Sequence, residues 1–184
     1  TEEFLRSDEL SGLRRSLILL KGSRSFGFER IAEQLSQKVH ETTLEIDLGA
    51  MIENLNHYRG LMAPMVKTVC MVKAFAYGAG FYEIAKTLQD QRVDYLAVAV
   101  ADEGEQLRKA GITANILVMN PEMTAFNTIF ENNLEPEIYS FTLLDAMISA
   151  CEREGYLHYP VHIKIDTGMS RLGFRPDEIP QLIE

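Results

Sequence analysis

From residue 66 onward the sequence alternates apolar, β-branched runs with amphipathic ones, and this alternation restricts the fold more than any other feature. "VKTVCMVK" reads as a strand and "FYEIAKTLQDQ" as a helix. The pair repeats in "DYLAVAV" and "DEGEQLRKAG", in "ANILVM" and "PEMTAFNTIFENN", and in "LEPEIYS" and "TLLDAMISACEREG". "VHIKID" with "PDEIPQLIE" begins a fifth unit. Gly111 and Gly155 close two of these helices, and Pro121 opens one. Strands alternating with helices in units of about 20 to 30 residues predict a parallel βα architecture with helices covering the strand cores. An open doubly wound sheet and a (β/α)8 barrel both satisfy the alternation. No GxGxxG follows a strand and no GxxxxGK(S/T) occurs, so dinucleotide-fold and P-loop readings lack their motif.

Upstream, "SLILLKGSRSFGFERIAEQLSQKV" predicts strand, turn and helix, with Phe28, Ile31, Leu35 and Val39 at helical spacing. "TLEIDL" reads as a short alternating strand. "GAMIENLNHYRGLM" reads as a helix with Met51, Leu55 and Tyr58 on one face. The net charge of −9 argues against an electrostatic grip on nucleic acid or anionic lipid. "TEEFLRSDEL" lacks the pattern of a signal peptide, and "YLAVAVA" is far shorter than the roughly 20 residues that span a bilayer. Cys70 and Cys151 show no disulfide-framework spacing. These features predict a cytoplasmic protein with no nucleic-acid and no membrane partner.

In parallel α/β folds the chemistry collects at the carboxyl ends of strands, and two strands here end in polar residues. Lys73 closes the first. In "VHIKID", Val161, Ile163 and Ile165 share one face, suited to covering helices, and His162, Lys164 and Asp166 share the other. That polar face would point into a barrel, where its charges must be paired or used. Lys73, near a second cation such as Lys164 or Arg171, suits an amine nucleophile for an aldehyde. Alternatively it is a strand-end lysine reaching solvent. The Tyr77-Gly78-Ala79-Gly80 loop allows close backbone approach to a ligand and offers a phenol to a phosphate. Arg171 either serves the site or pairs with Asp166 or Asp177. His162 reads as a structural hydrogen-bonding histidine. His40, His57 and His158 form no ligand spacing, so no metal is expected. "DEGEQLRK" reads as a solvated helix face.

"VKAFAYGAG" resembles the pyridoxal-phosphate lysine motif of the alanine racemases, and "HIKIDTGMSRLGF" resembles their second signature. "LEIDLGAMIENL", "DYLAVAVADEGEQLRKAG" and "ILVMNPE" follow in matching order, so the resemblance runs over about residues 43 to 184. It implies the N-terminal barrel of the fold-type III pyridoxal-phosphate enzymes, here an incomplete (β/α)8 TIM barrel of about five βα units. It also implies roles. Lys73 would bond covalently to pyridoxal 5'-phosphate and serve as one of two catalytic bases. Tyr77 would bind the cofactor phosphate, and Arg171 would lie beside its phenolic oxygen. Lys164 would be a carbamylated lysine holding that arginine. Phe75, Ala79 and Ser170 depart from the familiar motifs without removing any of these groups.

The implied activity is interconversion of L- and D-alanine by a full-length parent acting as a homodimer, with these 184 residues inactive by themselves. "LILLKGSRSFGFERIAEQL" resembles the end of the ligase that joins UDP-N-acetylmuramoyl-tripeptide to D-alanyl-D-alanine. The organisation this implies is a ligase remnant over residues 1–41 and the start of a racemase barrel over residues 42–184, cut from a bifunctional fusion in peptidoglycan synthesis. Other readings are a racemase for a different amino acid, a fold-type III cofactor carrier, or a non-catalytic βα binding or assembly domain.

Overall fold

Each strand of the βα series pairs in parallel with the one before it. The structure, a computed structural model, describes residue 4 and residues 18–21, 26, 28–35, 45–78 and 80–183. The chain divides into two compact units, Thr1–Leu44 and Glu45–Glu184. In the first, helix α1 (Glu29–Leu35) carries Ile31 and Leu35 of the expected apolar face. Ile18 to Lys21 form no strand, and the remaining residues of that strand reading, like Val39, lie outside the described residues.

The second unit contains β1 (Val69–Met71), β2 (Tyr95–Val98), β3 (Asn115–Val118), β4 (Glu135–Ile138) and β5 (His162–Ile163). They make one sheet in the order β1-β2-β3-β4-β5, parallel throughout. This order decides between the two candidate architectures. Right-handed crossovers that always step in one direction put every helix on the same face, whereas a doubly wound sheet must reverse. The sheet is therefore singly wound, with one face under helices and the other forming the inner wall of a barrel. It is an α/β structure of five (β/α)8-type staves. Among the described residues β1 and β5 do not pair, so the wall is an arc.

The helices of this unit are α2 (Leu48–Leu61), α3 (Lys73–Tyr77), α4 (Phe81–Asp90), α5 (Ala101–Lys109), α6 (Phe126–Glu131), α7 (Phe141–Glu154) and α8 (Ile179–Ile183). Leu96, Val98, Ile116, Val118 and Ile138 project from the outer face of the sheet and are fully buried. They join Leu88 of α4, Leu107 of α5, Ile129 of α6 and Met147 of α7 in one cluster. Each such side chain contributes about 1.5–3 kcal/mol by leaving water, so this layer holds the sheet. α7 begins where Ser140 Oγ accepts from the Leu143 N–H and ends at Gly155, whose φ of 79° suits glycine.

The amino ends of the strands are clamped by side chains. The Arg108 guanidinium donates to the carbonyls of Ile112 (2.8 Å), Ala114 (2.7 Å), Asn132 (2.9 Å) and Asn133 (3.2 Å). Gln89 Oε1 accepts from the N–H groups of Thr113 (2.6 Å) and Ala114 (3.0 Å), and Asp94 accepts from Thr68 N–H at 2.7 Å.

Several elements differ from expectation. "TLEIDL" yields no strand among its described residues. Asp47 is instead the N-cap of α2, accepting from the Ala50 N–H at 3.0 Å. Met51 and Leu55 of α2 pack on the core while Tyr58 stays exposed, because the helix lies against its neighbour α4 along one side only. Pro121 does not open a helix, since a 3-10 turn at Met123–Ala125 precedes α6. The helix expected after β5 opens as another 3-10 turn, Pro176–Glu178. β5 is only two residues long, after which Ile165 bridges to Phe174. Its outer residues Val161, Ile163 and Ile165 are exposed rather than covered, because α8 sends Ile179 and Leu182 onto the main core instead.

Candidate functional site

Register places the inner face of the arc. Val69 and Met71 pair with Tyr95 and Ala97, Leu117 with Glu135, and Glu137 with His162. Partners across a parallel ladder share a face, so Tyr95, Glu135, Glu137 and His162 all point inward. The polar residues partner one another in pairs. His162 Nε2 lies 2.7 Å from Glu135 Oε2, and Lys164 Nζ donates to Glu137 Oε2 at 2.8 Å. The His162 ring also meets Tyr95 edge-on, with centroids 5.3 Å apart. Burial and then the Glu135 carboxylate push the Tyr95 phenol above its ordinary range. His162 is thus the structural histidine expected, and the partners of both β5 side chains come from β4.

Asp166 does not continue this inward face. Its carboxylate turns into the following loop, accepting from Gly168 N–H and Ser170 N–H, each at 2.9 Å. Those two bonds hold its carboxyl below the usual carboxylate range. The loop closes where Asp166 N–H donates to Phe174 carbonyl and Phe174 N–H to Lys164 carbonyl, both at 2.8 Å. Phe174 is buried against Phe141, with ring centroids 5.0 Å apart. Gly173, at φ 118°, lets the two backbone segments meet: a Cβ there would lie 2.7 Å from Asp166 N. Arg171 rides on this anchored loop. Asp166 is engaged by its own loop and Asp177 pairs with Arg175 at 3.1 Å. Among the described residues Arg171 has no ion-pair partner.

Lys73 opens α3, a turn of unusual hand. Ala74, Ala76 and Tyr77 have φ of 51°, 52° and 58°. The loop expected at Tyr77 is therefore a compact left-handed turn, closed by Ala76 N–H to Val72 carbonyl (3.0 Å) and Gly78 N–H to Ala74 carbonyl (3.3 Å). Non-glycine residues in this region cost on the order of 1–3 kcal/mol each and persist only where the surroundings impose them. The surroundings include Val72, fully buried beneath the turn. They also include Glu103 of α5. Its Oε1 accepts from Ala74 N–H at 2.7 Å and its Oε2 from Ala99 N–H at 2.8 Å. The stretch "DEGEQLRK" is thus a solvated face only in part.

A cleft of about 280 Å³ opens at the carboxyl ends of the strands, lined by Lys73, Ala99, Met119, Asn120, Lys164, Arg171 and Leu172. Lys73 there meets Lys164 and Arg171, which lie far from it in sequence. Tyr77 does not join them: it is 69% exposed and outside the cleft lining. The left-handed turn directs it away from the cleft. Lys164 is neutralised by Glu137, while Lys73 and Arg171 have no carboxylate partner among the described residues. A second, more apolar groove of about 400 Å³, lined by Leu144, Met147, Cys151 and Tyr159 among others, brings no amine or guanidinium together.

The donor set suits an anionic ligand bearing an aldehyde: one amine free of a carboxylate partner, a guanidinium, and the Asn120 amide. Glu137, Glu103 and Asn120 were not singled out from the sequence. The polar alternation of Glu135 and Glu137 in "LEPEIYS" is the signal that would have paired β4 with "HIKID".

Residues 46–184 match the family model described as the N-terminal domain of alanine racemase. An alanine racemase of Methanococcus maripaludis is 38% identical over 141 residues, 76% of this chain and 37% of that protein. A solved alanine racemase of Clostridium difficile 630 superposes with a TM-score of 0.70 at 35% identity, over 78% of this chain and 39% of that one. An alanine racemase of Bartonella henselae, solved with covalently bound pyridoxal phosphate, superposes with a TM-score of 0.67 at 28% identity, over 75% of this chain and 40% of that one. The chain thus spans well under half the length of these relatives.

Proposed function

The chain belongs to the alanine racemase N-terminal-domain family over residues 46–184, and from that premise we infer that it serves the pyridoxal-phosphate-dependent interconversion of L- and D-alanine. Bound pyridoxal phosphate supplies an aldehyde for an amine and a ring that delocalises the electron pair left when an α-proton departs. The residues of this chain supply the rest. Lys73 is the covalent attachment point and, when released, a base that takes or returns the proton at Nζ. Arg171, held by its closed loop, presents a planar guanidinium to the anionic edge of the ligand. Lys164 is the supporting residue of that arm. As a carbamate it would give the arginine an anionic partner, and as an ammonium ion it is neutralised by Glu137. Tyr77 is the proposed phosphate ligand, which requires its phenol to turn from solvent towards the cleft mouth.

The single observation that carries this reading is the amine of Lys73, without a carboxylate partner among the described residues, in a cleft with Lys164 and Arg171 at the carboxyl ends of the strands. The test is to incubate the protein with pyridoxal phosphate, reduce with borohydride and map the modified peptide by mass spectrometry. A pyridoxyl group on Lys73 is expected, and one on another lysine, or none, would refute the assignment. Racemisation by the full-length parent, measured across a panel of amino acids, then tests alanine as the substrate.

The wider setting is part of the proposal. Residues 1–41 are read as the end of a D-alanyl-D-alanine-adding ligase, joined to a racemase so that one activity makes D-alanine and the other consumes its dipeptide in peptidoglycan synthesis, in the cytoplasm. The racemase is read as a homodimer. The 184 residues by themselves are expected not to racemise alanine, because the five-stave arc, in which β1 and β5 have no second strand partner among the described residues, leaves the cleft open on one side.

A further inference from the structure

We propose that Glu103 is a positioning residue for Lys73, setting the strained turn so that the amine points into the cleft. The inference rests on reading Lys73 as the cofactor-binding amine. Three observations converge on it. First, residues Ala74, Ala76 and Tyr77 all hold positive φ, a conformation that alanine and tyrosine do not choose by themselves. Second, the Glu103 carboxylate spans two chain segments with separate oxygens: Oε1 takes the Ala74 N–H at 2.7 Å and Oε2 the Ala99 N–H at 2.8 Å. A glutamate in the first turn of a helix often reaches back to the chain just before it, which accounts for Ala99. Helix capping does not account for Ala74, which is 29 residues away. Third, both anchored segments border the cleft, since Lys73 precedes Ala74 and Ala99 itself lines the cavity. One carboxylate thus ties the strained turn to the end of β2, and hydrogen bonds to an ionised acceptor are stronger than neutral ones.

The chemical consequence lies in the freedom of the Lys73 side chain. With the bond intact, the backbone of the turn is held and Nζ samples the cleft. Without it, the Ala74 N–H loses its partner and the turn can relax towards negative φ. That relaxation rotates the Cα–Cβ bond of Lys73 relative to β1, and covalent capture of an aldehyde in the cleft becomes less favourable. The fold itself rests on the helix-covered layer, which Glu103 does not join.

The test uses Glu103→Gln, Glu103→Ala and Asp102→Asn in the protein that carries this chain. Gln keeps one acceptor oxygen and so retains only one of the two bonds. Asp102 is exposed in the same first turn and touches neither segment, so its variant removes equal charge from the same helix end. The readouts are the equilibrium constant for covalent capture of pyridoxal phosphate, followed by absorbance, the yield of borohydride-trapped adduct at Lys73, and the thermal midpoint. Glu103→Ala should lower the capture constant about tenfold, with Glu103→Gln intermediate and Asp102→Asn at the wild-type value. The midpoint serves to set aside a variant that has merely unfolded. Wild-type capture in Glu103→Ala, or an equal loss in Asp102→Asn, would overturn the proposal. Absence of an adduct at Lys73 in the wild-type protein would instead overturn the functional reading on which it rests.

Discussion

Replacing Gly173 by alanine should unseat the loop that carries Arg171. The backbone there has φ 118°, and a Cβ would meet Asp166 N at 2.7 Å and the Ile165 carbonyl carbon at 2.9 Å. Both obstacles are backbone, so no side-chain rotation relieves the contact. A non-glycine residue at such a φ costs on the order of 1–3 kcal/mol. Overpacking against fixed atoms typically adds about 1–3 kcal/mol, so about 4 kcal/mol is a central expectation. The strain falls on the Asp166-to-Phe174 and Phe174-to-Lys164 hydrogen bonds that flank the glycine. Relief requires either breaking them or withdrawing Phe174 from the core. At about 2–4 °C per kcal/mol for a domain of this size, the thermal midpoint of Gly173→Ala should fall by roughly 8–16 °C. Circular dichroism melts of both proteins at matched concentration would measure it. A fall of less than about 2 °C would show that the segments separate at little cost, and the argument that this glycine anchors the arginine loop would fail.

Lys73→Ala should abolish the borohydride-trapped pyridoxyl adduct while leaving the melting midpoint near that of the wild type, which peptide mapping and a melt check together. Arg108→Ala strips a donor from four carbonyls at once and should cost about 2–5 kcal/mol, read from urea unfolding. Glu137→Gln leaves the partly buried Lys164 ammonium without its counter-ion and should destabilise by about 1–3 kcal/mol on the same assay. The Asp94 carboxyl is held below the usual carboxylate range, chiefly by the Thr68 backbone N–H. A depressed folded pKa gives stability that is present above the unfolded value of about 3.9 and is lost as pH falls through the lower folded one. Urea midpoints should therefore fall on acidification below about pH 4, and Asp94→Asn should flatten that part of the profile.

The barrel arc was legible because its signal is periodic. Five apolar runs at regular intervals specify parallel strands, and the two-residue alternation of "HIKI" put His162 and Lys164 on the inner face, where both are found. The strand order, which separates barrel from open sheet, is not periodic information and needed the structure. The convergence of Lys73, Lys164 and Arg171 was readable from their places near strand ends. The hand of the turn after Lys73 was not, because alanine has no local preference for positive φ and only tertiary contacts impose it. The exposure of Tyr77 follows from that hand and was hidden with it. Asp47 was misread because "EID" alternates as well as a strand does, and only the missing pairing partner and the acceptance from Ala50 N–H identify it as a cap. Glu103 was hidden because its first-turn position looks like ordinary helix capping, and its second bond reaches a segment that sequence spacing does not connect.

The Arg108 clamp carries a consequence for how such a chain can drift. Its guanidinium grips carbonyls on two separate connections, the one leading into β3 and the one leading into β4. A single inserted residue in either connection would displace at least one of those carbonyls by more than a hydrogen bond can stretch. Loop lengths at the amino ends of these strands are therefore coupled to each other through one side chain. At the carboxyl ends Glu103 ties the segments after β1 and β2 in the same way, whereas those after β3 and β5, where Asn120 and Arg171 lie, share no such side chain among the described residues. Insertions and deletions tolerated by variants of this chain should accordingly fall after β3 and β5, leaving the connections into β3 and β4 constant in length.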